Sequence, residues 1–136
     1  MIPHRPDYLR HRIQRAFETL NEAEFLLSGM FTVGVVNRIY YACFYAVSAL
    51  LASEGHSSSK HSGVMSLFDQ HWVKPGRVPK EIGAFYHLIF ERRHKGDYED
   101  EIFLDRKDVE GWLAQARSLV EFVADWLRAN AGIVER

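Results

Sequence analysis

Cysteine is nearly missing from this chain: Cys43 stands alone, so an intrachain disulfide is excluded and the fold has to be held by its core. An excess of charge is missing too. A net charge of −1 and a pI near 6.7 exclude a protein that coats nucleic acid by bulk electrostatics. The longest apolar run, 39–52, is interrupted by Tyr40, Tyr41, Tyr45 and Ser48 and falls short of the roughly 20 residues needed to cross a bilayer, so it reads as a buried helix rather than a membrane span. The start, Met1 to Asp7, carries no apolar segment of the secretory kind, and with the lone cysteine this gives the expectation of a cytoplasmic protein. There is no glycine-rich phosphate loop, no Ser/His/Asp signature, no strand pattern, no internal repeat and no linker.

What is present is ordinary globular material: 136 residues, 47% hydrophobic and 26% charged, expected to form a single helical domain over 1–136. The charge is unevenly spread. Lys60, Lys74, Arg77, Lys80, Arg92, Arg93 and Lys95 face only Asp69, Glu81 and Glu91 within 60–95, and an acidic segment follows from Asp97 to Glu110. Solvated helix faces account for this, and a phosphate track is the alternative.

Five helices are legible. Leu9, Ile13, Ala16, Phe17, Leu20, Ala23 and Leu27 recur at three- and four-residue steps, with Pro6-Asp7 as entrance and Ser28-Gly29 as exit. The second helix begins near Thr32 as N-cap and runs to Glu54 before Gly55; apolar on several sides, it belongs in the middle of a bundle. Ser59 or Ser62 is expected to cap a third helix through Val64, Leu67, Phe68 and Trp72. Lys74-Pro75-Gly76-Arg77 is a turn, and Pro79 opens a fourth helix that ends near Gly96. Asp105 as N-cap, with Leu104 and Val109 as a hydrophobic staple, opens a fifth that runs to about Arg128. The expected fold class is all-α, an antiparallel up-and-down bundle of four to five helices.

Three segments carry a resemblance. Asn37-Arg38-Ile39-Tyr40-Tyr41-Ala42-Cys43-Phe44-Tyr45, Lys60-His61-Ser62-Gly63-Val64, and Phe90-Glu91-Arg92-Arg93-His94-Lys95-Gly96-Asp97-Tyr98 together resemble the HEPN domain family. The resemblance implies a homodimer, a link to RNA or nucleotides, and a small nucleotidyltransferase as partner, as in toxin-antitoxin-like pairs. HEPN ribonucleases share an arginine followed four to six residues later by a histidine. Here Arg92 and Arg93 stand where that arginine is expected, but no histidine follows at that distance. If Tyr98 matches the family's trailing aromatic, Gly96 occupies the histidine position, and His94 is adjacent to Arg93 instead. Many relatives also resemble Tyr-Tyr-Ala-x-Phe-His in the second helix, where this chain has Tyr45. The leading expectation is therefore a dimeric binding module. The alternative is a metal-independent ribonuclease toxin with a non-standard site at Arg92, Arg93, His94 and Tyr98, where arginine binds phosphate and histidine moves protons. A nucleotide-sensing domain without catalysis is a third reading.

The ligand-binding candidates are Arg38, Tyr41, Tyr45, Lys60, His61 and Asp97. Arg38 precedes a mostly apolar run and needs a partner, since an unpaired buried guanidinium is too costly. Either it joins Tyr41, Tyr45 and Arg92 or Arg93 in a phosphate pocket, or it pairs with an acid such as Asp97 or Glu91. Lys60-His61-Ser62-Gly63 is either an anion-holding helix start or a capping element. His87, Glu91 and His94 share a helical face, but a di-iron bundle needs a second Glu-x-x-His step, so neither metal nor cofactor is expected. Cys43 reads as a small core residue. Three tryptophans, nine phenylalanines and six tyrosines are more aromatic surface than one small bundle readily hides, which suggests that some face a subunit.

Overall fold

A computed structural model describes residues 6–29, 31–98 and 104–133, the side chains of 33 and 95–98 excepted. Among them the chain is all-α: α1 (Pro6–Ser28), α2 (Thr32–Ala52), α3 (His61–Phe68) continued by a π-helical turn (Asp69–Val73), α4 (Lys80–Tyr98) and α5 (Arg106–Ala131). α2 is the central element, packing against α1, α3, α4 and α5, and its most extensive partner is α1, its antiparallel neighbour. The predicted stripe of α1 is the one it buries, with Phe17 half-buried at its margin. Fully buried Leu and Ile side chains contribute roughly 1.5–3 kcal/mol each, which makes this stripe rather than helix propensity the reason α1 stays docked.

By length and composition Gly34–Ala52, 19 residues of mean hydropathy 1.4, is after all sufficient to cross a membrane. Its use here is different, because two-thirds of it is buried inside the bundle, including Ile39, Cys43, Val47 and Leu50. Two expected caps are corrected. Thr32 is the first helical residue of α2, and the N-cap position belongs to Phe31, whose side chain can accept no hydrogen bond. The N-cap of α3 is Lys60 in extended geometry, while Ser58 Oγ accepts from the Lys60 amide at 3.2 Å. Asp105 does cap α5, accepting from the Lys107 amide at 2.8 Å, and Gly132, at φ 66°, closes the helix in the left-handed region that suits glycine.

Past α3 the widened π turn rotates Trp72 into the core, edge-to-face with Trp126 at 4.9 Å. Arg77 lies 3.6 Å over the Trp72 ring and holds Glu54 through both terminal guanidinium nitrogens, tying the turn after α3 to the end of α2. Most aromatic residues are absorbed by the core or its margin; among the described residues the large apolar side chains left exposed are Phe25 and Phe31, flanking the α1–α2 turn.

Candidate functional site

Tyr40 is the hub of the site. α2 turns it away from α1, α3 delivers His61, and α4 delivers Tyr86, Phe90 and Arg93. The Tyr40 ring is fully buried and packs nearly parallel to Tyr86 at 6.2 Å and edge-on to Phe90 at 5.9 Å. Its hydroxyl and His61 Nδ1 are 2.8 Å apart, a hydrogen bond that fixes the imidazole, whose ring also lies flat on Phe44 at 4.3 Å. The Arg93 guanidinium sits 4.9 Å from the centre of the Tyr40 ring, a cation–π contact that brings a positive charge to the His61 side of the helix pair.

These surroundings set the protonation states. Burial pushes the Tyr40 phenol up to about 12, an effect partly offset by the Tyr86 hydroxyl and the Arg93 charge. Burial, and then the Arg93 charge, holds His61 below the ordinary histidine value, so its imidazole is neutral at pH 7. Burial also pushes Tyr86 well above a free phenol; its hydroxyl meets no hydrogen-bond partner of good geometry among the described residues. With Nδ1 held by Tyr40, His61 Nε2 has no partner among the described residues; it is a donor in one tautomer and an acceptor in the other. A neutral imidazole oriented by a tyrosine, beside a guanidinium, can bind a phosphate oxygen and can take or give a proton at Nε2.

The predicted residues divide. Arg93 and His61 meet at Tyr40, but Arg92 points the other way, 5.8 Å from the centre of the Trp112 ring on α5, since neighbours on a helix diverge by about 100°. His94 is exposed. Asp97 and Tyr98 end α4 with side chains outside the described residues. Lys60 is exposed and adjoins His61. Arg38, Tyr41 and Tyr45 do line up, with Arg38 5.6 Å over Tyr41 and the two tyrosine rings 6.0 Å apart. Arg38 does pair with an acid, and among the described residues that acid is Glu22, at 3.2 Å, rather than Glu91, with Asn37 Oδ1 at 2.7 Å; the side chain of Asp97 lies outside the described residues. The reason is the antiparallel hairpin, which sets the end of α1 beside the start of α2. Arg12 and Arg15 of α1 lie over Tyr45, so this aromatic row faces α1, while Tyr40, one ring over at 5.2 Å, faces α4.

Sequence reasoning missed Tyr40, Tyr86 and Glu22 as partners. Tyr40 carried a signal: it shares the stripe of Cys43 and Val47, the side of α2 opposite the Tyr41–Tyr45 row. Among the described residues no three metal-ligating side chains gather; His87 Nε2 instead meets Asp69 Oδ2 at 2.7 Å. Cys43 is fully buried and its thiol is pushed up by that burial, which makes it a core residue.

The family model for the HEPN domain matches residues 9–126. A UPF0332 protein of Thermotoga maritima is 44% identical over 81% of this chain and 83% of its own length. A UPF0332 protein of Gloeobacter violaceus is 33% identical over 93% of the chain and 98% of its own length. A Methanocaldococcus jannaschii protein, 30% identical over 75% of the chain and 69% of its own length, bears the name "Putative toxin". With the helical bundle and the match both spanning most of its length, this chain belongs to the HEPN domain family.

Proposed function

We propose that this HEPN protein is a toxin-type binding module of the cytoplasm, a homodimer that engages RNA or a nucleotide through Arg93 and His61 and has a small nucleotidyltransferase as its partner. The observation that carries the binding reading is the convergence of Arg93 and His61 on Tyr40: a fixed cation next to a polar nitrogen with no partner among the described residues is suited to a phosphate. The toxin names of two M. jannaschii relatives support the toxin-type reading. The exposed Phe25 and Phe31 support a subunit contact at the α1–α2 turn.

A second reading, a metal-independent ribonuclease, is favoured by one specific observation. His61 is neutral at pH 7 and held by Tyr40, so a histidine from α3 supplies beside Arg93 the acid–base group that α4 lacks in the family spacing. The test uses labelled transfer and messenger RNA without metal, read for both retention and cleavage, with wild-type protein and His61→Ala. Retention without cleavage, weakened at least tenfold by the substitution, is the expected result. Cleavage abolished in His61→Ala establishes the ribonuclease instead, and neither retention nor cleavage by a folded dimer refutes both. Light scattering with and without the co-expressed nucleotidyltransferase checks the assembly: a monomer that ignores that protein refutes this part of the proposal.

A further inference from the structure

The hydroxyl of Tyr86 lies in the core beside the Tyr40 ring, closed off from water and without a partner of good geometry among the described residues. A phenol O–H in such a place turns to whatever acceptor is at hand, because an unmade buried donor costs more than a poorly aligned bond. Here that acceptor is the Tyr40 hydroxyl. The two rings lie 6.2 Å apart and within 10° of parallel, and each hydroxyl perturbs the other. The signs give the direction. Contact with Tyr86 eases the ionisation of Tyr40, as a donated hydrogen does for the oxygen that receives it, while contact with Tyr40 opposes the ionisation of Tyr86, as it does for a donor. Tyr86 gives and Tyr40 receives.

Tyr40 has one hydrogen of its own, and the other acceptor in its reach is His61 Nδ1 at 2.8 Å. With Tyr86 already donating to the Tyr40 oxygen, that hydrogen goes to Nδ1. Nδ1 is then the acceptor, and the neutral imidazole carries its hydrogen on Nε2. The reversed chain, from His61 to Tyr40 to Tyr86, strands the Tyr86 hydrogen with no acceptor, which disfavours it by about tenfold. We propose that Tyr86 is a positioning residue for His61: its hydroxyl sets the direction of the Tyr86–Tyr40–His61 chain and locks His61 with its hydrogen on Nε2. The site then offers donors alone, Nε2–H and the Arg93 guanidinium held over the Tyr40 ring. It suits an ionised oxygen that accepts on every side, and neutral His61 is set to give a proton rather than take one. This consequence for the ligand rests on the proposed binding at Arg93 and His61; the tautomer itself does not.

The test is long-range proton–nitrogen NMR of the His61 imidazole at pH 7 in the full-length protein, for wild type, Tyr86→Phe and Tyr40→Phe, with unfolding curves to confirm that the variants fold. Wild type should show a protonated Nε2 and an unprotonated Nδ1, the Nε2–H form leading by at least about tenfold. Tyr86→Phe keeps the ring and removes the hydroxyl, so Tyr40 can turn its hydrogen away from His61, and the ratio should fall by about threefold or more. Tyr40→Phe should lower it at least as far. A merely structural Tyr86 would shift the unfolding curve and leave the ratio alone. A hydrogen on Nδ1 in wild type, an even mixture, or an unchanged ratio in folded Tyr86→Phe overturns the inference, and a change in Tyr40→Phe alone does so too, since it confines the fixing to Tyr40. Retention of labelled RNA keeps the two proposals apart: a locked tautomer in a protein that retains no RNA refutes the binding reading and upholds the role of Tyr86, whereas RNA held by a protein with mixed tautomers does the reverse.

Discussion

Replacing Tyr40 with phenylalanine separates the two things this residue does. The ring is fully buried among Phe44, His61, Tyr86 and Phe90, while the hydroxyl makes one hydrogen bond, 2.8 Å to His61 Nδ1. Phenylalanine keeps the packing and removes that bond. The expected cost is about 1 kcal/mol, because a net hydrogen bond is worth about 0.5–1.5 kcal/mol and His61, being half-buried, can turn Nδ1 to water. Removing the ring as well, in Tyr40→Ala, opens a cavity at the centre of the bundle and should cost about 3–5 kcal/mol. Urea unfolding followed by circular dichroism measures both, and the melting temperature should fall by about 3–5 °C for phenylalanine in a domain of this size. The reasoning fails if phenylalanine costs as much as alanine, or if phenylalanine costs nothing and leaves the His61 ring signals in an NMR spectrum unmoved.

His61 gives stability a pH dependence. Its folded value lies below that of the unfolded chain, so between the two the unfolded state binds more protons and stability rises with pH. Unfolding free energy should therefore drop as pH falls below about 6.5, and His61→Gln should flatten that slope in urea titrations at pH 5 to 7; an identical slope in the variant refutes the assignment. Asp105→Ala removes the α5 cap and should cost about 1 kcal/mol by thermal unfolding, whereas Asp105→Asn should retain most of it. Gly63 leaves no room for a side chain, since a Cβ there would overlap Ser58 Oγ and lie 2.9 Å from Ser58 Cβ. Gly63→Ala should cost about 1–3 kcal/mol and Ser58→Gly should restore part of it, while a neutral Gly63→Ala would show that the 58–63 segment moves freely.

Four of the helices were legible because each pairs an apolar period with punctuation: Pro6 and Gly29 around α1, Gly55 after α2, Pro79 before α4, Asp105 before α5. The cap at Thr32 was misread because a hydroxyl at the right place in sequence says nothing of the backbone preceding it. The π turn at Asp69–Val73 was invisible, as one extra residue in a helical turn leaves no compositional mark. Arg38, Tyr41 and Tyr45 could be read as a row because they lie on a single helix, where spacing dictates face. The meeting of Arg93 with His61, 32 positions earlier, could not, because it depends on how α3 and α4 dock on α2 and on which of two adjacent arginines the helix turns inward. The same holds for Glu22 opposite Arg38.

The two arginines give the most direct test of the Tyr40 site. RNA binding is measured by fluorescence anisotropy for Arg93→Gln and Arg92→Gln side by side, with unfolding curves to confirm that both variants fold. The account predicts that Arg93→Gln loses at least tenfold in affinity while Arg92→Gln, whose guanidinium faces Trp112, stays within about twofold of wild type. Equal losses, or a loss in Arg92→Gln alone, would contradict it and remove Arg93 and His61 from the site.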